Sequence, residues 1–95
     1  MRKYEALYIV KPELSDADVA QLAAHFKGVV ENLGGAVSKA EKWDRRKLAY
    51  EIKGYKEGVY ILMEFEAPPA APAEVSRLLR IHDDVIRHRI FSQED

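Results

Sequence analysis

The sequence contains no cysteine, which excludes disulfides, thiolate metal sites and a cysteine nucleophile and fits a reducing compartment. It also lacks an apolar run long enough to span a bilayer, and its opening, Met1-Arg2-Lys3-Tyr4-Glu5, has no apolar signal-peptide core. A cytoplasmic location is therefore expected. Glycine is scarce, and none of the five residues forms a phosphate cradle, which weakens any nucleotide-binding enzyme reading. A large excess of one charge is missing too: the net charge of −1 argues against a simple DNA-coating protein.

No catalytic constellation stands out. His25 sits on a helical stretch without a second ligand at i+4, and a solvated imidazole explains it better than a metal site. His82 and His88 fall in a turn and a strand, and Asp83-Asp84 is ordinary turn chemistry. No catalytic residue, metal or cofactor is expected.

What the sequence does contain is one domain's worth of chain, 95 residues with 47% hydrophobic and 33% charged content, read as a single domain over 1–95. Charge is unevenly placed. From Lys42 to Arg89 ten Lys or Arg face eight acids, and Lys42 to Lys47 alone hold four cations and one acid, Asp44. A second basic group runs through Arg77, Arg80, Arg87 and Arg89. If folding joins these groups to Arg2-Lys3, a positive patch results on a neutral body.

Apolar periodicity gives the architecture. Tyr4 to Lys11 alternates as a strand with apolar residues on both faces, and Pro12 ends it. Ser15-Asp16-Ala17-Asp18 has the capping-box pattern. Val19, Leu22, Ala23, Phe26, Val29, Val30 and Leu33 then form one helical stripe, closed by Gly34-Gly35. A long second strand runs from Ala36 to Ile52, with a bulge or kink near Trp43-Asp44. Lys53 to Gly58 reads as a hairpin turn marked by two glycines, and Val59 to Glu66 as a third strand. Ala67 to Pro72 is a proline-rich linker. Val75, Leu78, Leu79 and Ile81 mark a second buried helical stripe. A last strand, Val85 to Phe91, sets Ile86, His88 and Ile90 against Arg87, Arg89 and Phe91.

This order predicts an α+β ferredoxin-like split β-α-β fold, βαββαβ, with an antiparallel sheet in the order 4-1-3-2 and both helices on one face. Period reasoning then assigns Leu7, Ile9, Tyr60 and Leu62 to the other, uncovered face, flanked by Arg87, Arg89 and Phe91. An apolar patch of that extent points to a partner. Most stacking aromatics of an RNA-recognition motif are missing from it, so the aliphatics suit a protein better than bases, while the basic runs would grip phosphates.

The sequence resembles the ribosomal protein S-six family, the sixth protein of the bacterial small ribosomal subunit, over nearly its whole length. Met1-Arg2-Lys3-Tyr4-Glu5 is similar to that family's Met-Arg-x-Tyr-Glu opening, and Pro12 follows the first strand as it does there. Trp43-Asp44-Arg45-Arg46-Lys47-Leu48-Ala49-Tyr50-Glu51-Ile52 resembles its Trp-Gly-Arg-Arg-x-Leu-Ala-Tyr-Pro-Ile. Tyr60-Ile61-Leu62-Met63, Glu66-Ala67-Pro68 and Asp83-Asp84-Val85-Ile86-Arg87 fall where the family has like residues. Two positions depart. Asp44 replaces Gly, which sets an acid beside Arg45 and Arg46, and Glu51 replaces Pro. The chain also ends at Ser92-Gln93-Glu94-Asp95, without the long acidic tail of some members.

The resemblance implies a structural constituent of the small ribosomal subunit, not an enzyme. It implies binding to the central domain of small-subunit ribosomal RNA together with the eighteenth small-subunit protein, as a heterodimer, with no membrane and no small-molecule substrate. On that footing Arg2, Lys3, Arg45, Arg46, Arg87 and Arg89 are expected to contact RNA phosphates. Leu7, Ile9, Trp43, Tyr50, Tyr60 and Leu62 are expected to contact the protein partner. The rivals are a free-standing RNA-recognition module and a ferredoxin-like sensor or enzyme that dimerises through the open face.

Overall fold

Alternation in the strands and a three- and four-residue stripe in the helices produce β1 (Arg2–Val10), α1 (Asp16–Asn32), β2 (Ala36–Ile52), β3 (Tyr55–Ala67), α2 (Ala71–Ile81) and β4 (Val85–Ser92). The structure, a computed structural model, describes residues 1–93; Glu94 and Asp95 of the expected short terminus lie outside the described residues. The strands form one antiparallel sheet in the order β2-β3-β1-β4, which is the expected 4-1-3-2 order read from the other edge.

One face of the sheet carries the core. Tyr4, Ala6, Tyr8 and Val10 of β1 and Val59, Ile61, Met63 and Phe65 of β3 pack with Val19, Leu22, Ala23, Phe26 and Val30 of α1 and with Ala71, Val75 and Leu79 of α2. Phe26 is fully buried and meets the Tyr8 ring edge-on at 5.5 Å. Truncating a side chain so placed costs about 3–5 kcal/mol. Helix α1 starts where the sequence says: the Ser15 side chain accepts from the Asp18 N–H, and Asp18 accepts from the Ser15 N–H. It ends through Gly34 N–H to the Glu31 carbonyl and Gly35 N–H to the Val30 carbonyl.

Several expectations need correction. The hairpin turn is only Lys53-Gly54, with φ of 52° and 85°, because a two-residue primed turn needs positive φ at both central positions. Gly58 therefore belongs to β3, and its role is close approach: a Cβ there would strike Ile9 and stand 3.1 Å from the Val10 carbonyl oxygen. The proline linker shrinks to residues 68–70, since Pro72 lies in the first turn of α2. Ile81 is 60% exposed; two residues beyond buried Leu79, it points to the opposite side of the helix. In β4 the pairing with β1 shifts between Ile9 and Val10, whose partners are Arg87 and Val85. Ile86 is thus the extra residue of a bulge, and Val85 takes its expected place in the core cluster.

Strand β2 departs furthest from regularity. Its pairing with β3 shifts three times, between Val37 and Lys39, Lys42 and Asp44, and Lys47 and Ile52, where the sequence suggests one kink. The kink at Trp43-Asp44 is the middle shift.

Candidate functional site

The face that the helices leave open can be read from the pairing. Across the sheet, Arg87, Ile9, Tyr60 and Asp44 are successive partners in one row, and Arg89, Leu7, Leu62 and Glu41 in the next. A third row, Phe91, Glu5, Glu64 and Lys39, carries a like-charge cross-strand pair. The face therefore grades from apolar and basic near the hairpin to acidic at the other end. The open-face set named from sequence is in place.

Over the apolar end lies a strap made from β2 itself. Between Lys47 and Ile52 five steps along β2 answer two along β3, from Glu57 to Tyr55, and the surplus backbone bows out of the ladder. It bows over the open face. Leu48, Ala49, Tyr50 and Ile52 enclose, with Leu7, Ile9, Tyr60, Arg87 and Arg89, a cavity of about 240 Å³. The Tyr50 hydroxyl accepts a hydrogen bond from the Arg87 guanidinium at 2.8 Å. Strands β2 and β4 are opposite edges of the sheet, about 14 Å apart at roughly 4.8 Å per strand, so that contact spans the open face.

A second group forms beside the cavity. Trp43, the extra residue at the middle shift, is 50% exposed. The Arg46 guanidinium stands 4.7 Å over its ring and 5.8 Å from the Tyr60 ring, and Trp43 meets Tyr60 edge-on at 6.2 Å. Asp44 lies beside both arginines, as its place in the sequence suggests: it pairs with Arg46 at 3.0 Å and accepts from the Arg45 N–H at 2.8 Å. The Arg46 hydrogen bond, then that of Arg45, keeps the Asp44 carboxyl below its ordinary pKa. The Arg45 side chain turns elsewhere and donates to the Pro12 carbonyl at 2.6 Å.

Of the residues named from sequence, Leu7, Ile9, Tyr50, Tyr60, Arg87 and Arg89 converge on the cavity. Trp43 and Arg46 form the neighbouring group, and Leu62, paired with Leu7, continues the apolar row. Arg2 and Lys3 do not join them. They pair with Ala67 and Glu66 at the far end of β1, roughly 20 Å from Ile9 at about 3.3 Å per residue. The second basic group is also divided: Arg77 is bound to Glu74 on α2 through two hydrogen bonds, while Arg87 and Arg89 serve the open face. No continuous positive patch results among the described residues. Among the described residues no cluster of His, Asp or Glu could hold a metal ion; His88 bonds Ser76 at 2.7 Å, and the His82 ring accepts from the Asp84 N–H.

Sequence reasoning missed two things. The strap left no signal, because Leu48, Tyr50 and Ile52 keep strand period through a stretch that has left its partner. The Arg46 contact with Trp43 had one, a cation three residues from an exposed aromatic, but the bulge that brings them together is not readable from spacing.

Comparison with known proteins finds similarity along nearly the whole chain. Residues 3–92 match the model of the family described as ribosomal protein S6. The small ribosomal subunit protein bS6 of Desulforamulus reducens is 50% identical over 93 residues, 98% of each chain. That of Clostridium botulinum strain Hall is 48% identical over 94 residues, covering 99% of this chain and all of the relative. The crystal structure of 30S ribosomal protein S6 from Thermotoga maritima superposes with a TM-score of 0.89 at 29% identity, over 97% of this chain and 87% of that one.

Proposed function

We propose that this chain, which belongs to the ribosomal protein S6 family, binds the central domain of small-subunit ribosomal RNA jointly with the eighteenth small-subunit protein. Membership makes it a structural constituent of the small ribosomal subunit in the cytoplasm, and not an enzyme. No helix among the described residues is long and apolar enough to cross a membrane.

The observation that carries the joint-binding reading is the pairing of two chemistries on one face. Leu7, Ile9, Tyr50 and Tyr60 line the cavity, and Arg87 and Arg89 line it with them. Apolar side chains backed by arginine suit an interface with protein, while arginines at its margin suit phosphates that fix position without reading sequence. Arg45 and Arg46 extend the cationic margin along the β2 edge, with Trp43 and Leu62 as further apolar contacts. Arg2 and Lys3, at the far end of β1, would meet a separate part of the RNA.

Titrating central-domain RNA across a range of salt, with and without the eighteenth protein, tests the reading. Tight binding is expected only with both proteins present. Equal tight binding by this chain alone would overturn joint binding and favour a free-standing RNA-recognition module.

A further inference from the structure

We propose that Trp43 is a stacking platform for an unpaired RNA base, with Arg46 beside it engaging the adjoining phosphate. The proposal rests on the RNA-binding reading above, and it moves Trp43 from the protein interface to the RNA interface.

Four observations carry it. Trp43 is the surplus residue where β2 shifts against β3 between Lys42 and Asp44, so its ring is free of the regular ladder. The ring is already ordered by the Arg46 guanidinium at 4.7 Å and by the edge of Tyr60 at 6.2 Å, yet half of the residue's surface is open. A ring fixed before binding loses little rotamer freedom on binding. Third, the platform is separate from the apolar cavity, whose lining includes neither Trp43 nor Arg46.

The fourth is the surroundings. Lys42, Arg45, Arg46 and Lys47 accompany Trp43 within six residues that hold one acid. Lysine and aspartate are depleted at protein interfaces, and Lys42, Asp44 and Lys47 flank this tryptophan in the chain. Lys42 pairs with Asp16 and Arg45 with the Pro12 carbonyl, so Arg46 is the cation that stands at the ring. An exposed aromatic ring with a guanidinium beside it is an arrangement that holds single-stranded nucleic acid, the ring stacking a base and the cation meeting the backbone. Asp44 is a positioning residue: its bond to Arg46 at 3.0 Å holds the guanidinium over the ring. Every base has a π-face, so the platform has no base preference of its own.

Trp43 is the sole tryptophan, and its emission reports the contact directly. The full chain is titrated at low salt with fluorescently labelled single-stranded oligoadenylate and with a duplex of equal length, following label anisotropy and tryptophan emission together. Single-stranded RNA is expected to quench the emission at saturation and the duplex is not. Trp43→Leu should weaken oligoadenylate binding roughly tenfold, and Trp43→Phe should restore most of it. Anisotropy saturating without quenching, or with Trp43→Leu unchanged in affinity, overturns base stacking while leaving phosphate binding by the arginines intact. Anisotropy that does not rise with either RNA overturns stacking by the free chain and leaves the joint-binding reading intact, since that reading expects tight binding only with the protein partner present.

Discussion

Replacing Arg45 and Arg46 together by alanine tests whether the β2 edge grips RNA. Each phosphate contact contributes about 0.9 to the slope of log affinity against log salt. Over a fourfold rise in salt one contact therefore accounts for about 3.5-fold in affinity, and two for about 12-fold. The two side chains diverge: Arg45 is tied to the Pro12 carbonyl beyond the end of β1, and Arg46 lies over Trp43 on the open face. A slope shallower by about 2 would mean that RNA wraps the strand edge, and a change near 1 that it meets one face only. The assay is RNA binding at several salt concentrations with the protein partner present, alongside a urea melt. Both arginines are exposed, so stability should stay within about 0.5 kcal/mol. An unchanged slope in a folded variant would refute the phosphate assignment and leave these cations as protection against edge-to-edge aggregation.

Three further outcomes follow from the geometry. The Tyr8 hydroxyl is buried with no hydrogen-bond partner among the described residues, and burial pushes its pKa up; Tyr8→Phe should stabilise the fold by about 1 kcal/mol and raise Tm by about 4–8 °C. A lower Tm would contradict this. Burial, then the charges of Arg80 and Lys53, lower the His88 pKa. The unfolded chain then takes up the proton first, so stability falls as pH drops below about 6.5; urea melts of His88→Asn should lack that component, and identical pH profiles would exclude it. Tyr50→Phe removes the hydroxyl that Arg87 reaches and should speed hydrogen exchange in residues 48–52 while leaving global stability within about 0.5 kcal/mol; unaltered exchange would mean that the apolar contacts alone hold the strap.

Elements whose side chains answer only to their own period were legible in the sequence. The α1 stripe from Val19 to Val30, its Ser15 cap and the alternation of β1 and β3 each follow from local chemistry and fix the layered fold. The open-face residues Leu7, Ile9, Tyr60 and Leu62 followed from the same alternation, and so did Arg87 and Arg89. What was not legible depends on how two segments count against each other. Trp43 and the Leu48–Glu51 surplus are defined by β3's shorter count, and Ile86 by its place against Ile9 and Val10. Gly58 looked like a turn residue because its near neighbour is Ile9, nearly fifty positions away in the chain.

The length of β2 can be explained by what its two irregular parts cover. A sheet with helices on one side exposes apolar Leu7, Ile9, Tyr60 and Leu62 on the other, and its edge strand invites pairing with another chain. The cations around Trp43 discourage that pairing. The bowed Leu48–Glu51 segment shields part of the apolar face without filling it, since a cavity of about 240 Å³ remains beneath. Its polar tether to the opposite edge is the Tyr50–Arg87 bond between two exposed side chains, a contact worth little in water. The surplus residues in β2 thus shield, in the free chain, part of an apolar face that a regular strand would leave bare.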